Sequence, residues 1–215
     1  MEYIICSNVM KHLDRNDILT DAQHGFRKRR SCECQLILTV KDLASSLDLK
    51  EQIDLILLYF SKAFDKVPHE RLLYKMEYYG IRGHMNSWIR DFLENRQQQV
   101  VLEGATSTSA PVQSGVPQGS VLGPLFLLFI NDLPEVISTG STVRLFADDC
   151  ILYRRIRSTE DINALQDDLN SLQNWERDWL MEFHPEKAKS CTSQTREIHS
   201  SIITTSMDIY LKRRG

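Results

Sequence analysis

Val143-Arg144-Leu145-Phe146-Ala147-Asp148-Asp149-Cys150-Ile151-Leu152-Tyr153 places two adjacent carboxylates between two apolar runs. The runs are rich in strand formers, so the stretch reads as a β-hairpin with acids at its tip. Neighbouring side chains on a regular strand point to opposite faces, so adjacent carboxylates converge only where the strand turns. Between apolar strands such a pair repels itself and resists desolvation unless a cation neutralises it, and oxygen donors of this kind suit Mg²⁺. Taken alone, the dipeptide also fits a solvated Asp-Asp turn, which is the commoner structure. The rest of the chain decides between the two.

Upstream, Leu36, Ile37, Val40, Leu43, Ala44 and Leu47 recur at spacings of three and four, the stripe of an amphipathic helix. Ile53 to Phe60 comes next as a nearly continuous apolar run, which predicts a central strand buried on both faces. Pro68 suits a first helical turn, Leu72, Leu73 and Met76 supply an apolar stripe, and Gly80 closes that helix. Met85, Trp88, Ile89, Phe92 and Leu93 mark a second helix. Gln97 to Glu103 and Ser109 to Gln113 read as short strands around Gly104, Thr106 and Ser107. Downstream of the hairpin, Ile162, Leu165, Leu169, Leu172, Trp175 and Trp179 mark a long helix, with Ser158 and Asp161 at capping-box spacing. The order α β α α β β α β β α favours an α+β fold, an antiparallel-type sheet with helices packed on one face.

With 42% apolar and 26% charged residues and a formal net charge of −3, the 215-residue chain has the profile of an ordinary globular domain. No repeat or Gly/Ser linker marks an internal boundary, so one domain over 1–215 is expected. The longest uncharged apolar run, Val121 to Ile130, is half what a membrane crossing requires, and Glu2, Lys11, Asp14, Arg15 and Asp17 break any N-terminal signal. The expectation is a cytoplasmic or nuclear protein, not secreted and without membrane contact. Five cysteines lack framework spacing and read as reduced thiols. Cys32-x-Cys34 with His24 lacks the second ligand pair of a zinc finger. The near-neutral charge argues mildly against a strong nucleic-acid binder.

Three segments share the carboxylate pair's significance. Tyr59-Phe60-Ser61-Lys62-Ala63-Phe64-Asp65-Lys66-Val67-Pro68-His69, Ser114-Gly115-Val116-Pro117-Gln118-Gly119-Ser120-Val121-Leu122-Gly123-Pro124, and Phe146-Ala147-Asp148-Asp149 resemble motifs A, B and C of a reverse transcriptase, those of non-LTR (LINE-like) retrotransposons in particular. Gln23-His24-Gly25-Phe26-Arg27 with Ser31 resembles the segment before motif A, and Trp179 to Lys187 resembles motif D. The order and spacing match over nearly the whole chain. The resemblance implies an RNA-directed DNA polymerase with a palm, working on an RNA template, a DNA primer and deoxynucleoside triphosphates. It also implies two Mg²⁺ ions, held by a motif A carboxylate and the motif C pair Asp148 and Asp149. By the same resemblance Phe60, Phe64, Gln118, Gly119 and Arg27 bind nucleotide or template. Phe64 matches the aromatic that rejects a 2′-hydroxyl, although its spacing fits a core Phe equally well. Gln118 and Gly119 match the turn where backbone approaches the substrate. Lys187 matches the lysine proposed to protonate pyrophosphate, and on sequence alone it reads as a solvated surface lysine.

The departures are specific. Tyr59 stands where the family has the motif A Asp, and a neutral phenol is a poor ligand for a hard dication. Asp148 and Asp149 then hold two dications without a third carboxylate. Asp54 lies five residues back, about 16 Å along the strand and on the opposite face, so it cannot substitute. The motif B helix is one residue short, which rotates its downstream residues by about 100° and puts their packing in question. In motif D, His184 and Ala188 replace the usual Asn and Cys. By resemblance the chain divides into partial fingers (1–50), palm (51–190) and a degraded C-terminal segment (191–215), and reads as a truncated, decaying copy. This leaves two readings, a polymerase impaired at Tyr59 or an inactive remnant with weak nucleic-acid binding through Arg27, Lys28, Arg29 and Arg30. That basic run also fits a solvated face.

Overall fold

Residues 1–117 and 123–193 are described by the computed structural model. They form two compact units, each assembled from two separated stretches: Met1–Leu19 with Lys62–Ile130, and Thr20–Ser61 with the chain from Asn131 onward. These units interleave along the sequence, so no linker announces them.

The second unit holds the sheet. Strands β1 (Gln52–Tyr59), β6 (Ser141–Phe146), β7 (Asp149–Ile156) and β8 (Lys189–Ser193) are antiparallel in the order β6-β7-β1-β8. β1 is therefore interior, as its apolar run predicts. Its register against β7 runs from Gln52 opposite Ile156 to Tyr59 opposite Asp149, and against β8 from Ile53 opposite Ser193 to Leu57 opposite Lys189. From Asp54 onward burial along β1 alternates. Ile56 and Leu58 are fully buried, whereas Leu55, Leu57 and Tyr59 on the other face are half-buried. Ile53, on that same face, is buried as well, so both faces of β1 are covered, the second less completely than the first.

Helix α7 (Thr159–Trp179) covers the buried face with Leu165, Leu169, Leu172 and Trp175. Its start departs from a capping box: Asp161 accepts the backbone N–H of Arg157 rather than of Ser158, and also pairs with Arg154. Helix α2 (Cys32–Asp48) lies against β1 and β6. The expected apolar stripe faces outward there: Leu36 is 60% and Ile37 66% exposed, while Gln35, Thr39 and Ser46 are buried. The polar face is turned in because it has partners. The Thr39 and Ser46 hydroxyls donate to carbonyls one turn back, and Asp42 accepts from Arg144 Nη2 at 2.7 Å and Tyr153 Oη at 2.6 Å.

The first unit is mainly helical. It contains α1 (Glu2–Arg15), α3 (Ala63–Lys66), α4 (His69–Tyr78), α5 (Gly83–Leu93) and α6 (Pro124–Phe129). Pro68 sits just before α4 in extended geometry rather than inside it. Gly80, at φ +85°, closes α4 as the Ile81 N–H reaches the Met76 carbonyl at 2.8 Å. The predicted strands around Gly104 are broken into pairs, β2 (Gln97–Gln98) with β5 (Ala110–Pro111) and β3 (Val101–Leu102) with β4 (Ala105–Thr106). The packing question raised at α6 resolves against the expectation. Leu125 to Phe129 are all buried, because a six-residue helix enclosed on every side has no outward face to rotate.

Candidate active site

The site grows from the β6-β7 turn. Phe146 pairs with Asp149, leaving Ala147 and Asp148 as a two-residue loop. Ala147 sits at φ +52°, a left-handed conformation that a Cβ-bearing residue adopts at a cost. Asp148 is half-buried and Asp149 exposed. Partial desolvation, and then the neighbouring Asp148 charge, push the Asp149 carboxyl above its ordinary value. Next in the strand, burial and then the Asp149 charge push the Cys150 thiol up to about 12, which makes it an inert packing group.

Register brings Tyr59 opposite Asp149, at the Cα separation of about 4.5–5.5 Å typical of antiparallel partners. Tyr59, Asp149, Leu57 and Ile151 line one cavity of about 170 Å³ with Leu36 and Thr39 of α2. The motif D turn is tied to the same strand end. The His184 N–H donates to the Tyr59 carbonyl at 2.6 Å, the Ser61 N–H donates to Glu182, and Lys187 is exposed in the adjoining 3₁₀ turn Pro185–Lys187. Tyr59, Asp148, Asp149 and the segment carrying Lys187 thus converge.

The donor set fits a divalent ion only in part. Two adjacent carboxylates offer hard oxygen ligands, but the position facing them carries a phenol. Among the described residues no group of three or more His, Cys, Asp or Glu side chains converges to hold a metal.

Other anticipated residues fall elsewhere. Phe60 is buried, its ring 4.4 Å from Phe183 and 6.0 Å from Trp175. Its expected role in nucleotide or template binding is corrected to a core role, because it points to the face opposite Tyr59. Arg27 is half-buried and donates from Nη1 to the Thr20 carbonyl at 3.0 Å. Phe64 belongs to the first unit and is half-buried, with its ring 4.7 Å from Phe126. There the start of motif B is zipped onto the turn after motif A: the Val116 N–H donates to Phe64, the Gly115 N–H to Val67, and the Ser114 hydroxyl to Asp65. Gly115, at φ +98°, permits this, since a Cβ would lie 2.7 Å from the Asp65 carbonyl oxygen. A cleft of about 440 Å³ beside it presents Lys62, Asp65, Arg96 and Gln113. Gln118 and Gly119 lie outside the described residues.

Reading along the sequence missed the support beneath the carboxylates. Buried Gln23 bonds to the Ala147 backbone, and Gly25 lies directly against it. The signal available was the Gln23-His24-Gly25-Phe26-Arg27 segment, which the family resemblance marks without assigning Gln23 or Gly25 a role.

With this geometry in view, the comparisons with known proteins agree. A family model described as reverse transcriptase (RNA-dependent DNA polymerase) matches residues 2–203. The RNA-directed DNA polymerase from mobile element jockey of Drosophila melanogaster is 30% identical over 204 residues, covering 91% of this chain and 22% of the relative. The probable RNA-directed DNA polymerase from transposon X-element of the same organism is 30% identical over 200 residues, covering 88% and 21%. The chain thus spans about a fifth of these curated relatives' length. Among solved structures, apo telomerase from Candida Tropicalis superposes with a TM-score of 0.64 at 13% identity, covering 93% of this chain and 41% of that one. Telomerase from Candida albicans in complex with a telomeric RNA fragment gives 0.61 at 11% identity, covering 90% and 35%. The sheet order, the hairpin of adjacent carboxylates and the family match converge on one conclusion: this chain belongs to the reverse transcriptase (RNA-dependent DNA polymerase) family.

Proposed function

We propose that this chain is the palm-centred part of an RNA-directed DNA polymerase of a non-LTR retrotransposon, and that Tyr59 impairs polymerisation in this chain. The observation that carries the reading is the pairing of Tyr59 with Asp149 at the end of the central strand. That is where a third carboxylate would complete a pair of Mg²⁺ sites with Asp148 and Asp149. Three carboxylates against two dications would leave one excess positive charge, whereas two carboxylates would leave two. A divalent ion bound there would supply electrostatic stabilisation of nucleotidyl transfer. The chain's own residues contribute the rigid strand end, the charged tip and the nearby lysine of the 185–187 turn.

The substrates are inferred from family and chemistry. An RNA template, a DNA primer and deoxynucleoside triphosphates are the proposed partners, and Lys187 is the proposed proton donor to pyrophosphate. Phe64, Gln118, Gly119 and Arg27 are the proposed contacts to nucleotide or template. The division into partial fingers (1–50), palm (51–190) and a degraded C-terminal segment (191–215) belongs to the same proposal. Among the described residues no helix is long and apolar enough to cross a membrane.

Primer extension on poly(rA)/oligo(dT) with Mg²⁺ or Mn²⁺ tests it, run on the chain beside its Tyr59→Asp variant. The parent is expected to fall below detection, since loss of a charged ligand at a two-metal centre removes on the order of a thousandfold in rate. Robust extension by the parent would overturn the impairment.

A further inference from the structure

The turn that presents Asp148 is held from outside its own hairpin. Residues 22–25 run alongside the end of β6: Leu145 donates its N–H to Ala22 and accepts from His24, both at 2.8 Å. Gln23, only 1% exposed, then reaches the hairpin tip with its side chain. Its Oε1 accepts from the Ala147 N–H at 2.9 Å and from the Gly25 N–H at 2.7 Å, while its Nε2 donates to the Ala147 carbonyl at 3.3 Å. A neutral amide is the side chain that can pair with both the N–H and the carbonyl of one residue; an ionised carboxylate has no donor. Gly25 completes the contact by lacking a side chain. A Cβ there would lie 2.4 Å from the Ala147 nitrogen and 3.1 Å from Gln23 Oε1.

Ala147 needs such a clamp. It immediately precedes Asp148 and holds a positive φ, and strained conformations of this kind persist only where the surroundings over-determine them. Relaxing Ala147 would re-aim the peptide that sets the direction of Asp148, and with it the spacing of the carboxylate pair. We propose that Gln23 and Gly25 are positioning residues, a brace that fixes the Ala147 peptide and so aims Asp148 and Asp149 toward a shared divalent ion. The aiming rests on the proposed metal site at Tyr59, Asp148 and Asp149; the brace itself does not.

The test therefore has two readouts on the full chain. Amide hydrogen exchange reports the brace directly: Gln23→Met, which keeps the bulk and removes both hydrogen-bonding atoms, is expected to lower protection at Ala147 about tenfold while Leu152 in β7 keeps its protection. Gly25→Ala keeps both hydrogen-bonding atoms of Gln23 but crowds Ala147 and Gln23 Oε1, so it is expected to give the same local loss, and it carries the test should Gln23→Met fail to fold. Unchanged protection at Ala147 in either folded variant would overturn the brace. Calorimetric Mn²⁺ titration in the Tyr59→Asp background reports the aiming. There Gln23→Met is expected to weaken binding severalfold at a temperature where the variant is fully folded. Full Mn²⁺ affinity despite lost Ala147 protection would reduce the brace to a structural prop and overturn the positioning role. Should Tyr59→Asp itself bind Mn²⁺ no more tightly than the parent, the metal-site reading fails together with the aiming, and the exchange rates still decide the brace.

Discussion

At the scale of single residues, the face of the strand on which a side chain falls decides its chemistry. Tyr59 and Phe60 are adjacent aromatics, yet one lines the cavity beside Asp149 and the other stacks on Phe183 in the core. Replacing Tyr59 by Asp puts a carboxylate opposite Asp149 and is expected to raise Mn²⁺ affinity in calorimetric titration even if turnover stays absent, because ion binding needs only the three carboxylates. Equal affinity in two folded proteins would mean that position 59 does not share a site with the pair. A second residue sets a pH dependence. Asp54 is 1% exposed, and the guanidinium of its register partner Arg154 is engaged by Asp161. Burial pushes the Asp54 carboxyl above its ordinary value against hydrogen bonds from Gln52 and Thr192. A carboxyl with a raised folded-state pKa binds more protons folded than unfolded, so its contribution to stability declines as pH rises upward from about 4. Asp54→Asn is therefore expected to be more stable than the parent at pH 7, by about 1 kcal/mol. Thermal melts should show that advantage closing below about pH 4; a parent that is the more stable at pH 7 would refute the argument.

At the scale of elements, α2 shows where periodicity misleads. Its apolar residues recur at helical spacing, so the helix itself is legible, but periodicity cannot tell which face the sheet will take. The sheet takes the polar one because Arg144 and Tyr153 reach across to Asp42. Burial raises the Asp42 carboxyl, but hydrogen bonds from Tyr153 and Arg144 outweigh it and hold the group below its ordinary value. Asp42→Ala should therefore destabilise the fold by about 1–3 kcal/mol, since it strips a charged partner from the largely buried Arg144. Val40→Ser on the exposed stripe should change stability by no more than about 0.5 kcal/mol. Urea unfolding of both variants checks the pair, and the reverse ranking would mean that α2 packs by its apolar face. Elsewhere the sequence carried more. The interior position of β1, the Asp148 hairpin and the α7 stripe Leu165, Leu169, Leu172 and Trp175 are all legible in local pattern. What local pattern could not supply was long-range: the hydrogen bonds from Gln23 to Ala147 and the half-burial of Tyr59 depend on which segments meet.

At the scale of the whole molecule, charge governs how the chain meets a polyanion. A formal net charge of −3 gives no long-range attraction to RNA, so binding must come from locally exposed cations. The run Arg27 to Arg30 contains four, but they are not equivalent. Arg30 pairs with Asp21, and Arg27 is half-buried with its guanidinium on the Thr20 carbonyl. Lys28 and Arg29 are exposed. If this run contacts phosphates, Lys28 and Arg29 make the contacts, and each releases about 0.7 counterion from a single strand. The double variant Lys28→Gln/Arg29→Gln is then expected to bind single-stranded RNA more weakly at low salt. The slope of log K against log salt should become shallower by about 1.4. Arg30→Gln, by contrast, should leave that slope nearly unchanged, because its guanidinium already faces a carboxylate. Filter-binding titrations over a salt series distinguish the three proteins. A slope that stays the same in the double variant would make the run a solvated face, and any RNA affinity of the chain would have to originate elsewhere.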